Sequence, residues 1–309
     1  MALSPYPIDP ALTAIAVAYR NPGYVADAVL PRVLVDKQRF SFLSYSSDTM
    51  FNVPDTRVGR RSKPNEVTLE ATETTDSTED YALDGGVPRA DEDNADSRYD
   101  PLGNEVMFLQ ELIALDRERR VANLVHSLNT YDSSLRTTLS GTSQFSDFTN
   151  SDPLNAILTA LDLPLMRPNQ MVLSQDGWTK LRIHPKIVEA VKGTGAKSGT
   201  ATREQVAELL EIEEIIVGQA RANTAKRGQT PTISRLWGKH IALLYKAPVI
   251  NAKGAVTFGA SFQWGDRIAS QWEEKNMGMR GGTAVRTGES LKERVVASQA
   301  GYFFQNAFA

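Results

Sequence analysis

Between residues 101 and 128, apolar side chains recur every three or four positions: Val106, Leu109, Leu112, Ile113, Leu124, Val125 and Leu128. That spacing predicts an amphipathic helix. Asp100-Pro101 supplies its cap and first-turn pair, and the charged block DRERR (116–120) interrupts its apolar stripe. At ~1.5 Å per residue the helix spans about 40 Å, well beyond the mean helix of about 11–12 residues. It reads as a structural spine.

Ahead of the spine the period changes. VDKQRFSFLSYSSDTMFNV (35–53) is rich in aromatic and β-branched residues, and in NEVTLEATETTDSTEDYAL (65–83) Val67, Leu69 and Ala71 alternate with Thr68, Glu70 and Thr72. Alternation of this kind marks a half-buried strand, so the two stretches predict a β-hairpin around a Gly/Pro-containing turn. Arms of ~15 residues at ~3.3 Å each would reach on the order of 50 Å, against ordinary strands of about 5–6 residues. A ribbon that long must protrude. The first thirty-five residues are punctuated by Pro5, Pro7, Pro10, Pro22 and Pro31. Two short apolar helices, at about 10–20 and 24–29, fit between them, the first opened by Asp9-Pro10. With so little local sequence to build a core, the segment reads as an arm laid across something else.

Beyond polar SGTSQFSDFTNS (140–151) the texture becomes that of an α/β region. SDPLNAILTALDL opens with Asp152-Pro153, and NQMVLSQDGWTKL reads as a strand running into a helix capped by Ser174. HPKIVEAVKG is a further short helix, and TREQVAELL carries Thr202 and Gln205 at capping-box spacing. Strands are predicted at EEIIVG (213–218), HIALLYKAP (240–248) and VTFGASFQW (256–264). The apolar end, with Tyr302, Phe303, Phe304 and Phe308, reads as a terminus tied into a sheet.

Charge sharpens the picture by its distribution. The formal net charge is −3 over 309 residues. The turn RVGRRSKPN (57–65) carries Arg57, Arg60, Arg61 and Lys63 and no acid, while residues 65–100 hold twelve acids against two bases. Residues 215–265 contain seven bases and no acid. That density is thin for a dedicated nucleic-acid reader and suits a surface that tolerates a polyanion. The tip is expected to contact an acidic surface of an adjacent molecule, with Glu79, Asp80, Asp84, Asp91, Glu92 and Asp93 as the candidate receiving acids.

Little points to catalysis. The absence of cysteine removes disulfides, thiolate nucleophiles and sulfur metal sites, so neither cofactor nor metal is expected. His126, His184 and His240 have no Ser or carboxylate partner at a motif spacing. KGTGAKSGT (192–200) departs from a phosphate-binding loop, because Ala196 precedes Lys197, Gly193 lies four residues before it, and a helix leads in. No apolar run approaches the roughly 20 residues of a membrane span, and a cytoplasm-like compartment is expected.

The order of these parts resembles the major capsid proteins of tailed bacteriophages. It runs from proline-punctuated arm and extended hairpin through acidic return and spine helix to an α/β region and apolar final strands. DPLGNEVMFLQELIALDRERRVANLV looks like the spine helix of that family, and MVLSQDGWTKLRIHPKIVEAV like a strand–helix–helix unit of its capsomer-centre domain. The resemblance covers the chain from about residue 10 to its end. It implies an α+β capsid fold, shared with bacterial encapsulins and the floor of herpesvirus capsids. Residues 1–35 would be the N-terminal arm and 36–75 the extended loop. Residues 76–149 would form the peripheral domain with the spine helix at about 101–128, 150–261 the axial domain, and 262–309 the return to the peripheral domain. It further implies pentamers and hexamers that close into an icosahedral shell around double-stranded DNA. The virion would be assembled in the host cytoplasm with separate scaffolding, portal and decoration proteins. Residues 1–35 and 54–66 would be mobile in a free subunit and ordered on association. Two alternatives are an encapsulin-type nanocompartment and a nucleotide-binding enzyme built on the 192–200 loop.

Overall fold

The computed structural model describes residues 7–18, 21–45, 53–66, 71–96, 99–193, 198–226, 228–248 and 256–309. Helix α1 (Pro10–Ala18) starts where predicted, with the Asp9 carboxylate accepting the Leu12 amide at 2.8 Å. A single turn, α2 (Ala26–Val29), leads to strand β1 (Arg32–Val35). Strands β2 (Arg39–Tyr45) and β3 (Ala71–Ser77) pair antiparallel over seven register positions, from Arg39↔Ser77 to Tyr45↔Ala71. Strand β4 (Glu79–Pro88) follows, then the short α3 (Arg89–Asp93) and the spine, α4 (Pro101–Val125). The spine is capped by Asp100, whose carboxylate accepts the Gly103 amide at 3.0 Å.

After β5 (Arg136–Thr138) come α5 (Pro153–Leu161), β6 (Gln170–Ser174), α6 (Gln175–Arg182), α7 (Pro185–Lys192), α8 (Arg203–Leu210) and β7 (Glu214–Gly218). Every cap foreseen here forms: Asp152 to the Asn155 amide, Ser174 to the Gly177 amide, and the reciprocal Thr202–Gln205 box. The remaining strands are β8 (Arg221–Asn223), β9 (Ile233–Arg235), β10 (Ile241–Leu244), β11 (Gly259–Trp264), β12 (Ile268–Glu274), β13 (Gly282–Val295) and β14 (Gly301–Gln305).

One sheet runs β5-β14-β10-β6-β7. Apart from the edge strand β5, its strands are buried on both faces, which is why they read as largely apolar runs. Met171, Leu173, Ile215, Val217, Ile241 and Leu243 face helices α5 to α8, while Val172, Ile216, Ala242, Leu244 and Phe303 face α2 and the end of the spine. The second sheet runs β1-β11-β13-β12, with β4 on the other side of β13. Its central strand, β13, is 14 residues long. It pairs with β12 through its first half, β11 through its last five residues, and β4 over ten positions. Leu12 and Ala16 of α1 pack there with Val106, Leu109, Ala269 and Val285.

Four expectations are corrected. Residues 79–83, expected in the ribbon's second arm, pair instead with β13, and among the described residues the ribbon pairs seven residues on each arm. Val67 and Leu69, which carried the alternation, lie outside the described residues. The N-terminal segment does not lack a core of its own. Leu12, Ala16, Ala26, Val29, Leu30 and Val33 are buried against their own chain, and β1 runs parallel to β11. The spine stops at Val125, with a 3-10 turn at Leu128–Thr130. Finally, the C-terminal stretch divides: β11 to β13 join the sheet with β4, while β14 joins β5 and β10 in the other. Ring stacking fixes the ribbon's root, with Phe40 over Phe262 at 4.4 Å and Phe42 beside it at 5.5 Å.

Candidate subunit-contact site

The cationic turn at residues 53–66 is exposed throughout and carries no strand. Its shape comes from short polar contacts. Asn65 donates its side-chain amide to the Asp55 carbonyl at 2.9 Å, the Asp55 carboxylate accepts the Arg57 amide at 2.9 Å, and Ser62 N–H closes a turn onto the Gly59 carbonyl at 3.0 Å. Lys63 is bonded to Glu66. Among the described residues, no ion pair is made by Arg57, Arg60 or Arg61. The loop therefore presents three uncommitted guanidiniums together with the exposed Val53 and Val58.

The six acids named from the sequence separate into two groups. Those on β4 already have partners across the ladder on β13. Arg286 grips Asp84 through two bonds of 2.5 and 2.6 Å, Lys292 reaches Glu79, and Ser290 donates to Asp80. Arg294 likewise holds Asp76. The hydrogen bond from Arg286 keeps the Asp84 carboxyl below the usual range, and Lys292 does the same for Glu79. For Asp76, burial works the other way and is outweighed by Arg294. The acids on α3 are less committed. Arg89 reaches Glu92 at 3.3 Å and Asp93 at 3.5 Å, yet the buried Glu92 Oε1 has no hydrogen-bond partner and Asp91 forms no ion pair among the described residues. The structure does not bring the tip and these acids together within one chain: no ion pair joins them among the described residues.

A second charged constellation escaped the sequence reading. The DRERR block, taken there as an interruption of the apolar stripe, turns Arg117 and Glu118 into the core. The Glu118 carboxylate accepts the Val25 and Ala26 amides at 3.1 and 2.8 Å and the Trp237 indole N–H at 2.6 Å. Burial pushes its pKa up, and these donors only partly offset that. Arg117 donates to Asp27 at 2.6 Å and to the Ser261 hydroxyl at 3.1 Å. Arg32 bridges Asp27 and Glu289, both at 2.8 Å, and Arg267 adds a bond to Glu289 at 2.9 Å and one to the Ala16 carbonyl at 3.3 Å. Burial alone would raise Asp27 and Glu289, but the facing arginines hold both carboxyls low. The chain of charges ties α1, α2 and β1 to the spine and to β13. The only signal in the sequence was that five charges stood in a row where an apolar face should continue.

Among the described residues, no three His, Asp or Glu side chains are placed to hold a metal, and no helix is long and apolar enough to cross a membrane. Lys197 and residues 194–196 lie outside the described residues, and the element leading into them is the helix α7.

Two large sheets, a spine helix and a ribbon leading to a basic loop find their counterpart in the subunits of virus shells once the chain is compared with known proteins. No protein-family profile matches the chain. It is 49% identical, over the full length of both chains, to the major capsid protein of Pseudomonas phage JBD67. Its fold is similar to that of a phage-related protein from Bordetella bronchiseptica RB50, with a TM-score of 0.76 at 21% identity, covering 98% of this chain and 99% of that one. The capsid of cyanophage P-SCSP1u shares the fold at a TM-score of 0.56 and 12% identity, covering 93% of this chain and 89% of the other. The chain belongs to the family of phage major capsid proteins, structural proteins of the virion capsid. That membership does not favour the nanocompartment alternative.

Proposed function

We propose that the chain assembles with copies of itself into pentamers and hexamers that close into an icosahedral shell enclosing double-stranded DNA. Separate scaffolding and portal proteins, and decoration proteins where they occur, complete the particle in the host cytoplasm. In this shell the ribbon's basic loop rests on the adjacent subunit. The observation that carries the reading is the loop itself: Arg57, Arg60 and Arg61 stand on a ribbon without an ion pair among the described residues. The receiving surface is the acidic α3, where the exposed Asp91 makes no ion pair among the described residues. Glu79, Asp80 and Asp84 flank it, their charge partly matched by β13. Each exposed pair would contribute only about 0–1 kcal/mol, but the contact repeats in every subunit and sets register and assembly rate more than affinity.

Reversing Arg57, Arg60 and Arg61 to glutamate tests this. The subunit should remain folded by circular dichroism, while sedimentation and negative-stain microscopy show shells lost or greatly slowed. Normal particles at normal yield would reduce the loop to a solvated turn. A wild-type chain that sediments as a monomer at every salt and concentration would overturn the shell reading itself.

A further inference from the structure

The small hairpin β8–β9 leaves the end of β7, at one edge of the helix-covered sheet. Its register pairs Arg221 with Arg235, Ala222 with Ser234 and Asn223 with Ile233. Alternate residues of a ribbon share a face, so Arg221, Asn223, Ile233 and Arg235 stand together on one side. Two like charges directly opposite each other destabilise a strand pair. The register is held instead by the loop and the root. Asn223 Oδ1 accepts the Ala225 and Thr232 amides at 3.1 and 2.9 Å, Thr224 N–H reaches the Thr232 carbonyl at 2.9 Å, and Leu236 N–H reaches the Ala220 carbonyl at 3.0 Å.

Nothing nearby in sequence neutralises the arginines, since residues 215–265 contain no acid. Among the described residues, Arg221, Arg235 and the exposed Lys226 make no ion pair, whereas Arg32, Arg117, Arg120, Arg286 and Arg294 are each mated to a carboxylate. The neighbouring helix α6 touches the hairpin's root through Gln175, which accepts from the Gln219 side chain at 3.2 Å, and its Asp176 is matched by Lys180 at 3.8 Å. The hairpin's fixed geometry opposes two cations and supplies no anion.

We propose that this face is a docking surface for the phosphate backbone of duplex DNA. The proposal rests on the reading of the chain as a shell around double-stranded DNA and names the place of contact. Residues 219–236 contain no aromatic side chain. Proteins that grip single strands stack bases on aromatic rings, and the cores of protein–protein interfaces are enriched in aromatics, so both of those partners fit this face poorly. The amide oxygen of Asn223 is spent inside the loop, leaving cations as the principal recognition groups. Cations alone bind phosphates without reading sequence.

The test is fluorescence anisotropy of the full-length chain against a 30-base-pair duplex, a single strand of equal length and a poly-glutamate peptide, from 50 to 200 mM salt. The double variant Arg221→Gln, Arg235→Gln removes two phosphate contacts, at a slope of about 0.9 per contact. Wild type should therefore lose about twelvefold more duplex affinity than the variant across that fourfold rise in salt. Thermal melts should not fall, since the like-charge pair is relieved, and shells should form at wild-type yield. An identical slope for the two proteins overturns the proposal, as does poly-glutamate binding that matches the duplex and falls in the same variant. If wild type binds duplex as described but forms no shells, the docking surface stands and the shell reading falls.

Discussion

Replacing Glu118 by alanine should cost the folded subunit on the order of 3–5 kcal/mol, the usual consequence of removing one partner from a buried charged network. The carboxylate meets three donors, two of them buried: the half-buried Val25 amide, the Ala26 amide at the start of α2 and the Trp237 indole N–H. Each donor stranded without water or acceptor costs about 1–3 kcal/mol, partly offset because a desolvated carboxylate no longer has to be buried. Glutamine keeps the volume and one acceptor oxygen, and should cost less, about 1–3 kcal/mol. Urea unfolding of the dissociated subunit, followed by tryptophan fluorescence, gives both values, with an unchanged m-value showing that the unfolded state is the same. Hydrogen exchange should localise the damage to residues 25–30. Since burial raises this carboxyl's pKa, its linked stability is greatest at low pH and declines as pH rises from 4.5 toward the raised value; glutamine abolishes that decline. A loss below about 1 kcal/mol for alanine, or an equal loss for glutamine, would refute the reasoning.

Gly218→Ala would drive a methyl into the Trp237 ring at Cδ1. The buried indole would have to move, lowering stability by about 1–3 kcal/mol; an unchanged thermal melt would contradict the packing described. Acid should erode stability in two limbs. His126, its pKa pushed down to about 3 by burial and by His240, stays neutral in the fold while the unfolded chain protonates near 6.5, so stability drains as pH falls between those values. His184 and His240, also depressed by burial, add to this limb. The second limb comes when Asp27, Asp76, Glu79, Asp84 and Glu289 lose charge below the usual carboxylate range. His126→Leu should flatten the first limb and spare the second, and an unaltered profile from pH 6.5 to 5 would show that His126 is not the source.

Local chemistry was legible in the sequence, and long-range partnership was not. Asp9-Pro10, Asp100-Pro101, Asp152-Pro153, Ser174 and the Thr202–Gln205 box all mark true helix starts, because a cap is satisfied within three residues. Strands β6, β7 and β10 of the helix-covered sheet could be read because both of their faces are apolar, whereas the polar β5 could not. Strands β12 and β13 could not. GTAVRTGESLKERV is polar and broken by glycine, and its buried Thr287 and Glu289 are bonded by residues far away in the chain, including Gln110 and Arg32. The same blindness affected the candidate site. The anionic residues of β3 and β4 looked free because Arg286, Lys292 and Arg294 of β13, which hold Asp84, Glu79 and Asp76, are some two hundred residues distant.

The passage from β3 into β4 has a mechanical consequence. Ala71 to Pro88 is one extended run interrupted only at Thr78, whose amide is held by the Gln38 carbonyl at 2.9 Å. Its first half belongs to the ribbon and its second is laced to β13 over ten register positions. Tension along the ribbon therefore loads those positions in shear, so that many hydrogen bonds must yield together instead of unzipping one by one. A hairpin anchored in this way works as a tendon, and pulling on residues 53–66 should give a single high-force rupture.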